Sequence, residues 1–142
     1  MSEVSNLLDS KGHEVLTVKP GQTVKDALMR MDRIGAGTCV VMDGGKVVGI
    51  MSEKDIVKSV VMKDQKPTET TVAECMTKVQ YTVAPDTTLD ECMKIMTEKR
   101  TRHLPVLRGS QLFGIVSIGD VVKYLLLEKD FQIRNLKMQI KK

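Results

Sequence analysis

One segment of this chain is written twice, the second copy following the first at a constant spacing of 65 residues with no gap. Thr17, Val18, Pro20 and Thr23 return as Thr82, Val83, Pro85 and Thr88. Met31 and Gly44 return as Met96 and Gly109. Gly49, Ile50, Ser52, Asp55, Val57 and Lys58 return as Gly114, Ile115, Ser117, Asp120, Val122 and Lys123. Two copies argue against a solenoid, which needs about three or more repeats to bury its faces. A chain of 142 residues has room for two small halves that share a core.

Periodicity gives each copy the order β-α-β-β-α. In the first, Val15–Val18 reads as a strand, and Thr23 caps a helix with Asp26 three residues on and an apolar stripe of Val24, Ala27, Leu28, Met31 and Ile34. Thr38–Met42 and Val47–Met51 read as strands joined at Asp43-Gly44-Gly45, and Ser52 opens a helix towards Met62. In the second, Gln80–Val83 is the first strand, Thr88 and Glu91 cap the helix, and Leu104–Leu107 and Leu112–Val116 are the paired strands. A helical turn at Val4–Leu8 is echoed at Val72–Met76. The polar stretch around Pro67 is the linker. The expected fold is therefore α+β, two βαββα repeats packed about a pseudo-two-fold axis. Residues 1–66 form the first repeat with its N-terminal turn, 67–128 the second, and 129–142 a helical extension. The last helix runs from about Asp120 towards Lys142. Its apolar residues suit a subunit contact or a fold back onto its own domain.

The chemistry of the repeat concentrates where its last strand meets its last helix, at Ser52-x-x-Asp55 and Ser117-x-x-Asp120. A helix start carries unpaired N–H groups and partial positive charge, so a hydroxyl and a carboxylate there suit a phosphate and a sugar diol. The same spacing is the capping box, in which both side chains satisfy the helix's own first turn. A duplication copies a cap as readily as a site, so the repeat alone leaves both readings open.

Composition removes several function classes. No apolar run is long enough to span a bilayer, and Met1–Ser5 lacks the pattern of a signal peptide, so a cytoplasmic protein is expected. Cys39, Cys75 and Cys92 are widely spaced with no Cys-x-x-Cys pair, and His13 and His103 are the only histidines, so neither a disulfide framework nor a metal site is expected. A net charge of +4 suits an anionic ligand. With 3% aromatic residues and no Trp, base-stacking surfaces are scarce, which disfavours nucleic acid. No phosphate-cradling Gly-x-x-x-x-Gly-Lys loop is present, and no serine or cysteine motif stands beside a general base, so catalysis is not expected.

The duplicated βαββα unit, with Gly-Ile-x-Ser-x-x-Asp at its last junction, resembles a tandem pair of cystathionine-β-synthase-type (CBS) domains. Ala73-Glu74-Cys75-Met76-Thr77 and Arg102-His103-Leu104-Pro105-Val106 support the resemblance, which runs from about Val4 to Leu126. It looks most like the small stand-alone members. The resemblance implies a non-catalytic regulatory module that binds an adenosine-containing ligand (AMP, ATP, NAD(H) or S-adenosylmethionine) in clefts between the repeats. It implies that the Asp contacts ribose hydroxyls and the Ser phosphate. By position, one site would combine Ser52, Lys54 and Asp55 with Thr82, Arg102, His103 and Pro105, and the other Ser117 and Asp120 with Thr17, Gly37 and Thr38. Arg102-His103 corresponds to Gly37-Thr38, so the Asp55 site is expected to prefer the more highly charged phosphate group. A homodimer and a separate regulated enzyme complete the expectation. The alternatives are a structural homodimer with vestigial clefts and a basic nucleic-acid binder.

Overall fold

The structure, a computed structural model, describes residues 2–140. It divides into two compact units, one built on each repeat.

The first-repeat unit comprises Glu14–Thr82 with Gly109–Leu112. Its sheet has the order β1-β2-β3-β4, from β1 (Thr17–Val18), β2 (Thr38–Asp43), β3 (Lys46–Ser52) and β4 (Thr77–Lys78). β1 runs parallel to β2; the other pairs are antiparallel. Gly44 and Gly45 turn the β2–β3 hairpin with φ of 57° and 81°, the double positive φ of a tight two-residue turn. α2 (Val24–Ile34) starts at Thr23, whose hydroxyl accepts from the Asp26 N–H at 3.1 Å, and ends at Gly35 with φ 71°. Val24, Ala27 and Met31 lie one helical face apart and are all buried. They pack with Val18, Cys39, Val41 and Met51 of the sheet and with Val72 and Cys75 of α4 (Val72–Cys75). The helix after Ser52 is regular only over α3 (Glu53–Ile56) and continues as a π-helical stretch, Val57–Val61. That stretch holds three β-branched valines, which are stiff in a regular helix.

The second-repeat unit comprises Met1–His13, Val83–Arg108 and Phe113–Lys142. It contains α1 (Val4–Lys11), α5 (Leu89–Glu98), β5 (His103–Arg108), β6 (Gln111–Ser117) from Phe113 onward, and α6 (Ile118–Ile140). Val4, Leu7 and Leu8 of α1 are core residues here, packed with Leu89, Cys92 and Met96 of α5, Leu104 and Val106 of β5, Val116 of β6 and Val121 of α6.

The units are discontinuous in sequence. The segment that precedes the first repeat sits in the second-repeat unit, and α4 and β4, which lead into the second repeat, sit in the first-repeat unit. Repeat boundaries describe the duplication; the units describe the packing.

The strand expected over Gln80–Val83 is not formed. Val83 makes a single parallel bridge to Val106, while β4 lies earlier, at Thr77–Lys78. Beyond Val83 the pairing does not continue, since the Ala84 N–H donates to the Thr87 hydroxyl at 2.9 Å and Pro85 has no N–H. The Lys141 and Lys142 end of the expected last helix lies outside the described residues.

Candidate functional site

Both Ser-x-x-Asp junctions are closed capping boxes. In the first, β3 ends at Ser52, which is extended at φ −108°, ψ 166°. Its hydroxyl oxygen accepts from the Asp55 N–H at 3.3 Å, and Asp55 Oδ2 accepts from the Ser52 N–H at 2.8 Å and from its hydroxyl at 3.0 Å. In the second, Ser117 Oγ accepts from the Asp120 N–H at 3.1 Å and Asp120 Oδ2 accepts from the Ser117 N–H at 3.0 Å. A backbone carbonyl takes one further helix-start donor in each copy. Glu53 donates to Gly37 at 3.1 Å, and Ile118 donates to Arg102 at 2.9 Å. The helix starts are thus substantially satisfied from within, and the capping role of these residues is present in the fold.

The carboxylates differ in what else holds them. Asp55 Oδ1 accepts from the Thr77 hydroxyl at 3.1 Å, placed there because β4 pairs with β3 opposite Gly49 and Ile50. Asp120 Oδ2 accepts from the Lys11 ammonium at 2.5 Å, in the last turn of α1. The source of the difference is α4, which ends at Cys75 and gives way to a strand, whereas α1 continues to Lys11. For Asp120, burial is the largest single influence and raises its pKa. The Lys11 hydrogen bond and charge and the Ser117 hydrogen bonds together outweigh it and hold the carboxyl below its ordinary value.

The first-repeat unit holds Thr17, Gly37, Thr38, Ser52, Lys54, Asp55 and Thr82 of the expected binding residues. Thr38 pairs with Ser52 across β2 and β3, Gly37 holds the start of α3 through its carbonyl, and Lys54 is exposed beside Asp55. Thr17 lies at the sheet edge opposite Val40, and Thr82 is exposed outside any strand. The second-repeat unit holds Arg102, His103, Pro105, Ser117 and Asp120. Arg102 is exposed at the start of α6 and His103 half-buried beside it. Pro105 is buried, its carbonyl accepting from the Val83 N–H at 3.0 Å.

Thr77 and Lys11 are the residues the sequence reading did not assign. Thr77 lies in the Ala73–Thr77 motif, so a signal existed. Lys11 had none, being 109 residues from its partner. The three cysteines are buried thiols. Burial pushes Cys39 and Cys92 up to about 11, so both stay protonated near neutrality. Among the described residues no cluster of His, Cys, Asp or Glu is able to hold a metal ion, and no helix is long and apolar enough to cross a membrane.

The duplicated βαββα unit with its capped Ser-x-x-Asp junctions is a tandem repeat domain, and the family model for the CBS domain matches the chain twice, over residues 5–62 and 72–127. The chain belongs to the CBS-domain family and is a CBS pair, a regulatory module. The CBS domain-containing protein CBSX3, mitochondrial, of Arabidopsis thaliana is 31% identical over 96% of this chain and 71% of its own length. A putative signal-transduction protein with CBS domains from Burkholderia ambifaria has a solved structure that matches with TM-score 0.82 and 39% identity, over 89% of this chain and 95% of that one. The fold is also that of CBSX2, solved in complex with AMP, at TM-score 0.70 and 23% identity, over 89% of this chain and 98% of that one.

Proposed function

We propose that this CBS pair binds an adenosine-containing nucleotide at its two Ser-x-x-Asp junctions and acts as a ligand sensor for a separate protein. The observation that carries the reading is the pair of half-buried carboxylates, Asp55 and Asp120, each fixed at a strand-to-helix junction by its own capping box. A fixed carboxylate is an acceptor for both hydroxyls of a ribose, and the adjacent hydroxyl and helix start suit a phosphate. The AMP complex of CBSX2, on the same fold, supports the ligand class. Thr17, Gly37, Thr38, Lys54, Thr82, Arg102, His103 and Pro105 complete the proposed binding set. Ligand binding regulates only if it favours one arrangement of the protein over another. The proposal includes a homodimer, supported by the apolar surface that α6 exposes, and a cytoplasmic setting.

The test is thermal denaturation with AMP, ADP, ATP, NAD, NADH, S-adenosylmethionine and GTP at fixed salt, on wild type, Asp55→Asn and Asp120→Asn. Asn retains a carbonyl to cap the helix but removes the carboxylate. A ligand at 100 times its Kd adds about 2.7 kcal/mol, which moves the melting point by several degrees. Adenosine ligands should shift wild type and GTP should not, with the shift reduced in at least one variant. Arg102→Ala should weaken ATP more than AMP. No shift with any ligand returns Ser52, Asp55, Ser117 and Asp120 to capping alone and favours a structural dimer.

A further inference from the structure

The family match ends at residue 127, but α6 runs on to Ile140 as one unbroken helix. Along it, Val122, Leu126, Lys129, Ile133, Leu136 and Ile140 are spaced alternately by four and three residues, the a/d repeat of a helix-pairing seam. The apolar members of that seam are 40%, 61%, 49%, 58% and 83% exposed in chain order. The inward side of α6 is a different one: Val121, Tyr124 and Leu125 pack on the unit's own core. At its N-terminal half the seam forms the floor of a groove of about 740 Å³, lined by Arg102, Ile118, Val122, Leu126 and Leu127 among others.

A seam written in one helix is necessarily self-complementary in hydrophobic pattern, and its charges decide the direction of pairing. Lys129 is its only polar position. In a parallel pair, Lys129 meets Lys129 of the second copy at the same level. In an antiparallel pair with its two-fold axis level with Phe131, Val122 lies opposite Ile140, Leu126 opposite Leu136 and Lys129 opposite Ile133. That register also brings Lys129 and Asp130 of both copies together about the axis, two cations with two anions. Like charges facing across a dry seam oppose pairing, and opposite charges set orientation. The antiparallel register further lays the far end of the second helix, Leu136 and Ile140, onto Leu126 and Val122 in the groove.

We propose that α6 pairs antiparallel with α6 of a second copy of this chain through this seam. The inference deepens the homodimer reading of the preceding section and rests on it. The test uses the full chain, with mass measured by light scattering after size exclusion. Wild type should be a dimer and Ile133→Glu a monomer with an unchanged circular dichroism spectrum, since Ile133 lies outside both cores. Orientation is read by mild oxidation. The double variant Leu126→Cys/Leu136→Cys should cross-link between copies, and neither single variant should. Cys39, Cys75 and Cys92 are buried and common to every sample. A monomeric wild type overturns both this proposal and the homodimer reading. A dimer that survives Ile133→Glu overturns this seam while the homodimer reading stands. Cross-linking in a single-cysteine variant, or in none, overturns the antiparallel register.

Discussion

At Asp120 and Asp55 the same four-residue pattern leads to two different electrostatic situations. Each carboxylate closes the capping box of its helix by accepting from the backbone N–H of the N-cap serine. Asp120 is held in addition by an ammonium, at an ion pair whose side chains are 33% and 30% exposed. Its pKa lies below its ordinary value in the folded protein. A depressed carboxyl pKa contributes stability above the unfolded value, and that stability is lost as pH falls through the folded pKa. Lys11→Met should therefore lower the melting point at pH 6 to 7, and the gap from wild type should close as pH drops below the ordinary carboxylate value of 3.8 towards the folded one. Melting curves across pH 2 to 7 for both proteins check this; a gap that persists at low pH would assign Lys11 to packing rather than charge. The capping pairs were legible in sequence because both members lie within one turn. Lys11 and Thr77 were not read as their partners, because a long-range partner is chosen by the fold and no local spacing encodes it.

Among the elements, β3 and β6 show why each repeat keeps a glycine where a β-branched residue would otherwise suit a strand. A Cβ on Gly114 would lie 2.8 Å and 3.0 Å from the two methyl carbons of Leu8, a fully buried side chain. A Cβ on Gly49 would meet Met76 and stand 3.0 Å from the carbonyl oxygen of Thr77, which is backbone and has little room to yield. Both substitutions to alanine should destabilise, by roughly 1 to 3 kcal/mol as overpacked sites do. Gly49→Ala should be the worse, because it pushes on β4 itself and so on the Thr77–Asp55 hydrogen bond. Urea denaturation of the two variants gives the comparison, and equal costs would mean that β4 moves aside freely. The helices of the repeats were readable from their caps, Thr23 with Asp26 and Thr88 with Glu91, since these are local hydrogen bonds. β4 was not, because Thr77–Lys78 is too short for periodicity and exists only through pairing with β3. Of the strand expected at Gln80–Val83 only Val83 pairs, with Val106, and the Ala84–Thr87 hydrogen bond and Pro85 keep that pairing from extending past it.

At the scale of the molecule, the duplication made the fold class legible, since two βαββα units of this pattern have few ways to bury their faces. The assignment of α1 was not legible, because an amphipathic turn announces a buried face without naming what buries it. Its consequence is testable. Leu8 is fully buried in the second-repeat core, about 100 residues away in sequence from the strands it covers. Leu8→Ala should cost roughly 2 to 5 kcal/mol. Hydrogen exchange should register the loss at Leu104, Val106 and Val116 more than at Val40 and Val41. A loss centred on Val40 and Val41 instead would place α1 with the first repeat.

The exchange of leading segments also sets an order of events during synthesis. Nearly all of the first-repeat unit is continuous from Glu14 to Thr82, so its sheet and helices are complete once β4 has emerged. The second-repeat unit draws on both ends of the chain. Its α1 is made before the first-repeat unit and waits, with Val4, Leu7 and Leu8 uncovered, until β6 and α6 arrive. Closing a loop of about 100 residues costs entropy that grows only slowly with length, so the delay matters more than the distance. At about 5 to 20 residues per second, this apolar face stays exposed for roughly 5 to 20 seconds after it is made.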